Sequence, residues 1–70
     1  MKLSLGAIPS RRLLRTKQAA EYLNLSPWKL RRLIAHGQLP VVQAEEGAPF
    51  LLDIRELDGY IDRNKRTTLL

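Results

Sequence analysis

The chain contains no cysteine. That excludes a disulfide framework and a thiolate metal site as sources of stability. It has one histidine, His36, and a single imidazole without thiolates does not build a metal centre. Aromatics make up 6% of the residues, too few for the stacking platform that single-strand RNA readers use. No glycine-rich phosphate loop occurs. No apolar run approaches the roughly 20 residues that cross a bilayer. The opening "MKLSLGAI" is too short for a signal peptide. These absences point to a soluble protein of the cytosol or nucleoid with no membrane partner.

Acidic residues are scarce in one half only. Residues 1–40 hold eight cations and one acid, Glu21, for a net +7, whereas residues 41–70 hold four cations and six acids, for a net −2. The chain as a whole carries +5. Such asymmetry suggests a polyanion against the first part of the chain, with a merely solvated basic surface as the plain alternative. Seventy residues allow one domain with a modest core. Glu45 and Glu46 are adjacent but sit in a turn without the enclosure that tunes a carboxylate, and His36 has no nucleophile or orienting acid nearby in sequence. No enzymatic activity, cofactor, metal or small-molecule substrate is expected.

What is present is a set of local signals. Residues 1–12 lack periodicity and read as a flexible arm. A first helix is predicted over Thr16 to Leu23, with Ala19, Ala20 and Leu23 on one face. Asn24, which tolerates the left-handed conformation, ends it. Ser26 is a preferred N-cap and Pro27 suits the first position of a second helix. Leu25 and Leu30 can form a hydrophobic staple across that cap. The second helix runs to about His36, whose position suits a dipole-complementing cap, and Gly37 stops it. With only Asn24 and Leu25 before the cap, the two helices must cross steeply, as in a helix-turn-helix. "LPVVQA" and "FLL", separated by "EEGAP", predict a small hairpin. Asp53 and Glu56 then suit a capping box for a third helix with Ile54, Leu57, Tyr60 and Ile61 at helical spacing. The predicted architecture is mainly α with a small β-hairpin: three helices plus a two-stranded wing over residues 13–62, followed by a fraying tail over 63–70.

The second helix carries the chemistry. With Leu30 at the centre of its buried face, Leu33 and Ile34 flank it, while Trp28, Arg32 and Ala35 fall opposite and Lys29 and Arg31 lie on the shoulders. An α-helix fits the major groove of B-DNA, where an outer face meets base edges and shoulder cations reach phosphates. The turn from Ser26 to Lys29 is a helix N-terminus, whose free N–H groups favour phosphate. The competing reading packs Trp28 under the N-terminal arm or against the hairpin. Arg31 or Arg32 alone would be an ordinary solvated cation.

The stretch "LLRTKQAAEYLNLSPWKLRRLIAHGQLPVV" with the later "FLLDIRELDGYI" resembles the excisionase-like branch of the MerR-type winged-helix DNA-binding domains. The resemblance covers residues 13 to 61, and its most specific parts are "QAAEYLNLS", "LRRLIAHGQLP" and "DIRELDGYI". It implies a winged helix-turn-helix that places its second helix in the major groove and its wing along the backbone or minor groove. By position, Lys29, Arg31 and Arg32 match recognition-helix contacts. Lys17 and Gln18 match the first turn of helix one, where phosphate is often touched. Family members include excisionases, which bend DNA and help an integrase, and small transcription regulators. The implied partners are double-stranded DNA and, beyond it, an integrase or recombinase or further copies of the chain.

Two positions depart from the family. The wing reads "QAEEGAPFLL" instead of carrying several cations, so Glu45 and Glu46 would repel a phosphate backbone. That leaves a wing that is short, turned away, or facing a protein. Arg15 and Gln18 replace the usual Thr and Glu of a capping box, so the cap is lost or shifted to Thr16, while Arg15 adds a cation near the phosphates. Arg11 and Arg12 could reach a minor groove as an arm. A protein-interaction module that has lost DNA binding is the alternative of another class, with Trp28 as its anchor.

Overall fold

The computed structural model describes residues 11–69. In chain order it contains β1 (Leu13–Arg15), α1 (Thr16–Leu23), α2 (Pro27–Ala35), β2 (Leu51–Asp53) and α3 (Ile54–Arg63). This is the predicted three-helix fold with a wing. The arm expected over residues 1–12 lies, for residues 1–10, outside the described residues.

Local chemistry sets the helix ends. Asn24 adopts φ 57°, ψ 44°. The Leu25 amide then donates to the Ala20 carbonyl at 2.8 Å, and the Asn24 amide to Glu21 at 3.1 Å. This pair of bonds is a Schellman motif, which satisfies carbonyls that a helix end otherwise leaves open. The same motif closes α2. Gly37 stands at φ +74°, its amide donates to Ile34 at 3.0 Å, and the Gln38 amide donates to Leu33 at 2.9 Å. A Cβ on Gly37 would meet nothing within 4 Å, so the backbone angle and not space selects glycine there. Ser26 caps α2 as predicted, its Oγ accepting from the Lys29 amide at 3.1 Å.

The other two caps differ in detail from the sequence prediction. At α1 the N-cap is Arg15, and Gln18 Oε1 accepts from the Arg15 amide at 3.0 Å. This is the return half of a capping box. An arginine side chain has no acceptor with which to complete it. At α3 the Asp53 carboxylate accepts from the Arg55 amide at 2.9 Å, one residue earlier than a capping box requires. Asp53 therefore caps α3 by itself, without the reciprocal bond expected from Glu56.

The core consists of Leu14, Ala19, Ala20, Leu30, Leu33, Leu39, Leu52 and Leu57. Ala19 and Ala20 are the buried residues of α1, and they let α2 and α3 approach it closely. Leu25 and Ile34 pack on this cluster, as do Ile54 and Tyr60 of α3. Ile61, expected on the same apolar stripe, is instead exposed at 37%. The Tyr22 hydroxyl donates to Asp58 Oδ1 at 2.6 Å and ties α1 to α3 outside the core. That bond, with burial second, raises the Tyr22 phenol above its ordinary value.

The extended segments pair more fully on one side than the hairpin pattern suggests. β2 forms its regular antiparallel ladder with β1, in the register Leu13↔Asp53, Leu14↔Leu52 and Arg15↔Leu51. Leu14 and Leu52 stand opposite each other and are both buried. The two arms of the wing meet at one bridge, Val42↔Leu51, whose amides and carbonyls exchange bonds of 2.7 and 2.9 Å. In that register the next hydrogen-bonded pairs on either side would set Pro40 against Asp53 and Pro49 against Ala44. Proline has no N–H to give, so the ladder stops at one rung. Beyond it the wing turns at Glu45–Ala48, where the Ala48 amide donates to the Glu45 carbonyl at 2.9 Å. Gly47 at φ +88° takes the third position of that turn, the signature of type II geometry. Gln43 Nε2 braces the loop by donating to the Ala48 carbonyl at 2.8 Å.

Candidate nucleic-acid interface

Burial of Leu30 and Leu33 fixes which face of α2 looks outward. Trp28, Lys29, Arg31, Arg32 and Ala35 are all exposed. Trp28 retains 59% of its surface, so the ring stays largely open to solvent. The competing reading, with Trp28 packed against the hairpin, does not fit that exposure, and any packing under residues 1–10 lies outside the described residues. The Arg32 guanidinium carbon stands 4.9 Å from the centre of the Trp28 ring, a cation–π contact between residues four apart on one helix. Ser26, the N-cap of α2, spends its oxygen on the Lys29 amide and keeps its hydroxyl proton to donate.

Among the described residues, ion pairs form between Arg12 and Asp53 and between Lys65 and Asp62. Lys29, Arg31 and Arg32 have no acidic partner there. Arg15 and Lys17 are also exposed and without one. Arg12 is placed differently. Its Nε and Nη2 reach the Asp53 carboxylate at 3.1 and 2.8 Å, while its carbonyl accepts from the Ile54 amide at 2.9 Å. The hydrogen bond from Arg12, followed by that from the Arg55 amide, holds Asp53 below the usual carboxylate range. Arg12 thus ties the entry of β1 to the cap of α3, and its charge is matched within the fold. Gln18 is half-buried and committed through Oε1 to the start of its own helix.

A groove of about 680 Å³ separates α2 from the returning arm of the wing. Arg15 and Thr16 line it from the start of α1, Arg31, Ile34 and Ala35 from α2, and Pro49 and Phe50 from the wing. Its floor is apolar, and two arginines stand on its rim. Pro49 and Phe50 were not among the residues singled out from the sequence. No spacing pattern connects positions 31–35 with 49–50, because the return of the wing alone brings them together. Phe50, 41% exposed, is the one wing aromatic and the only local hint.

The acidic tip is also placed. Glu45 and Glu46 are exposed on the turn, and no ion pair among the described residues neutralises them. No group of three His, Asp or Glu side chains that could hold a metal ion occurs among the described residues. No helix among them is long and apolar enough to cross a membrane.

Comparison with curated proteins and with solved structures returned no match. A family model described as a helix-turn-helix domain matches residues 13–65, which span α1, α2, the wing and α3. On that match and this geometry, the chain belongs to the helix-turn-helix domain family and is a DNA-binding domain of that kind.

Proposed function

We propose that the protein is a non-catalytic double-stranded DNA binder that lays α2 in the major groove and serves as an excisionase-like accessory factor of the MerR-type branch. The observation that carries this reading is the outer face of α2. Trp28, Lys29, Arg31 and Arg32 are exposed together, with no acid of the described residues paired to them. Arg15 and Lys17 extend the same sign of charge along the start of α1. The sequence pI near 10.3 adds long-range attraction to a polyanion. Lys29 and Arg31 serve phosphates, Arg32 serves the base edges, and the hydroxyl of Ser26 and the side chains of Lys17 and Gln18 add backbone contacts.

The accessory role follows from size. Nine helical residues span about 13.5 Å, enough to follow roughly four base pairs. So short a reading frame needs repeated sites, further copies of the chain or a recombinase partner to become specific. The acidic wing favours a protein contact at that end, because Glu45 and Glu46 would meet a phosphate backbone with repulsion.

The test is enrichment of fragmented host DNA on the purified full chain, read by sequencing. Tandem sites beside a recombination attachment site are the expected outcome. Sites at promoters would replace the excisionase role with a small MerR-like regulator. No enrichment at moderate salt would overturn the DNA reading in favour of a protein-interaction module.

A further inference from the structure

Arg31 and Arg32 are neighbours in sequence and both exposed, yet their surroundings differ. Arg31 lies at the rim of the α2–wing groove with no aromatic partner among the described residues. Arg32 lies over the Trp28 ring at 4.9 Å. A free arginine loses considerable rotamer freedom when it makes a two-pronged contact. A stacked guanidinium has surrendered part of that freedom beforehand. Stacking uses its flat face and leaves the edge N–H donors available. Those edge donors match the O6 and N7 acceptors that guanine alone presents side by side in the major groove.

We propose that Arg32 reads a guanine in the major groove and that Trp28 is the positioning residue that sets its guanidinium edge-on to that base. The inference rests on the DNA-binding reading above and adds to it a base identity and a division of labour. Arg32 supplies sequence preference, whereas Arg31 and Lys29 supply charge. Trp28 is well suited to this use. It sits at the second position of α2, one residue beyond Pro27, and the Ser26 cap anchors the backbone that carries it. Its ring has no other cation against it among the described residues, so Arg32 is the group it orients.

The experiment selects binding sites from a random duplex library with the full chain, comparing the native sequence with Arg32→Ala, Trp28→Ala, Trp28→Phe and Arg31→Ala. The native chain should enrich a guanine at one position. Arg32→Ala should lower preference for that guanine by roughly 5- to 150-fold, the range for a lost bidentate base contact. Trp28→Ala should lower it roughly two- to fivefold, the range for an exposed cation–π contact. The other positions of the motif and the salt dependence should stay as they were. Trp28→Phe should recover part of the preference, since phenylalanine keeps a ring face. Arg31→Ala should reduce the salt slope by about 0.9 and leave the motif intact. Replacing the selected guanine by 7-deazaguanine, which lacks the N7 acceptor, should weaken the native chain more than Trp28→Ala. A native motif that Trp28→Ala leaves unchanged at every position overturns the inference and spares DNA binding. So does a motif in which Arg32→Ala and Arg31→Ala have equal effects. A native chain that enriches nothing and shows no salt-dependent binding overturns both.

Discussion

α2 and the wing border the same groove, yet they are built to opposite rules. α2 presents Lys29, Arg31 and Arg32 and no acid. The wing carries Glu45 and Glu46 and no cation. α2 is closed at both ends, by the Ser26 cap and the Schellman turn at Gly37, and is pinned by fully buried Leu30. The two arms of the wing are tied to each other by a single bridge at Val42↔Leu51, the turn bond from Ala48 to Glu45 and a side-chain brace from Gln43. The element closed at both ends presents unpaired positive charge, and the more loosely tied one presents unpaired negative charge, among the described residues. The two teach that a wing's presence in a fold does not fix the sign of the charge it presents.

That contrast can be broken most thoroughly through the core. Leu30→Ala removes a side chain with no exposed surface and should cost about 2–5 kcal/mol. A single small core rarely supplies more than about 3–5 kcal/mol in total. Thermal unfolding followed by circular dichroism should therefore show no cooperative transition. A sharp melt close to that of the native chain would mean that α2 is not held where it is described. Ser26→Ala acts on α2 alone and should cost about 1 kcal/mol, read from a shifted midpoint in urea with unchanged slope. An unmoved midpoint would show the cap to be idle.

Asp53→Asn reaches the base of the wing and sharpens the contrast by pH. Asparagine keeps a cap acceptor for α3 but loses the charge pair with Arg12. The folded carboxyl sits below its ordinary value, through Arg12 first and the Arg55 amide second. Its contribution is therefore complete above the unfolded value near about pH 4 and is lost as pH falls through the depressed folded value. The native chain should be more stable than the variant at neutral pH, and the gap should close in acid. A gap that persists unchanged at low pH would assign the effect to packing instead. The smallest change is expected from Glu45→Gln with Glu46→Gln. Both side chains are exposed and unpaired among the described residues, so stability should stay within about 0.5 kcal/mol. A larger shift would reveal a structural duty at the wing tip.

How far the sequence foretells this arrangement depends on the range of each signal. Ser26, Pro27, Asn24 and Gly37 act on their own turns, so the bounds of α1 and the corner into α2 are legible from a few letters. The outward direction of Trp28 and Arg32 follows from helical spacing once Leu30 is taken as core. The stack between them lies four residues apart and was within reach of the same reasoning. β1 was not legible, because Leu14 finds Leu52 only when the chain has passed through two helices and a wing. Pro40 and Pro49 limit the wing ladder only in the register set by Val42 and Leu51, and nothing local announces that register. The ion pair of Arg12 with Asp53 spans 41 positions, so the sequence offers Arg12 as an uncommitted cation while the fold commits it.

The most direct test is the salt dependence of duplex DNA binding for three proteins: the native chain, Lys29→Ala with Arg31→Ala, and Glu45→Gln with Glu46→Gln. If α2 is the contacting element, the first pair of substitutions weakens binding and lowers the slope of log affinity against log salt by about 0.9 for each phosphate contact removed. The wing pair leaves the slope unchanged and tightens binding slightly, since it removes repulsion alone. Retained affinity and slope in the first pair, or collapse of binding in the second, would contradict the account and move the interface to the wing.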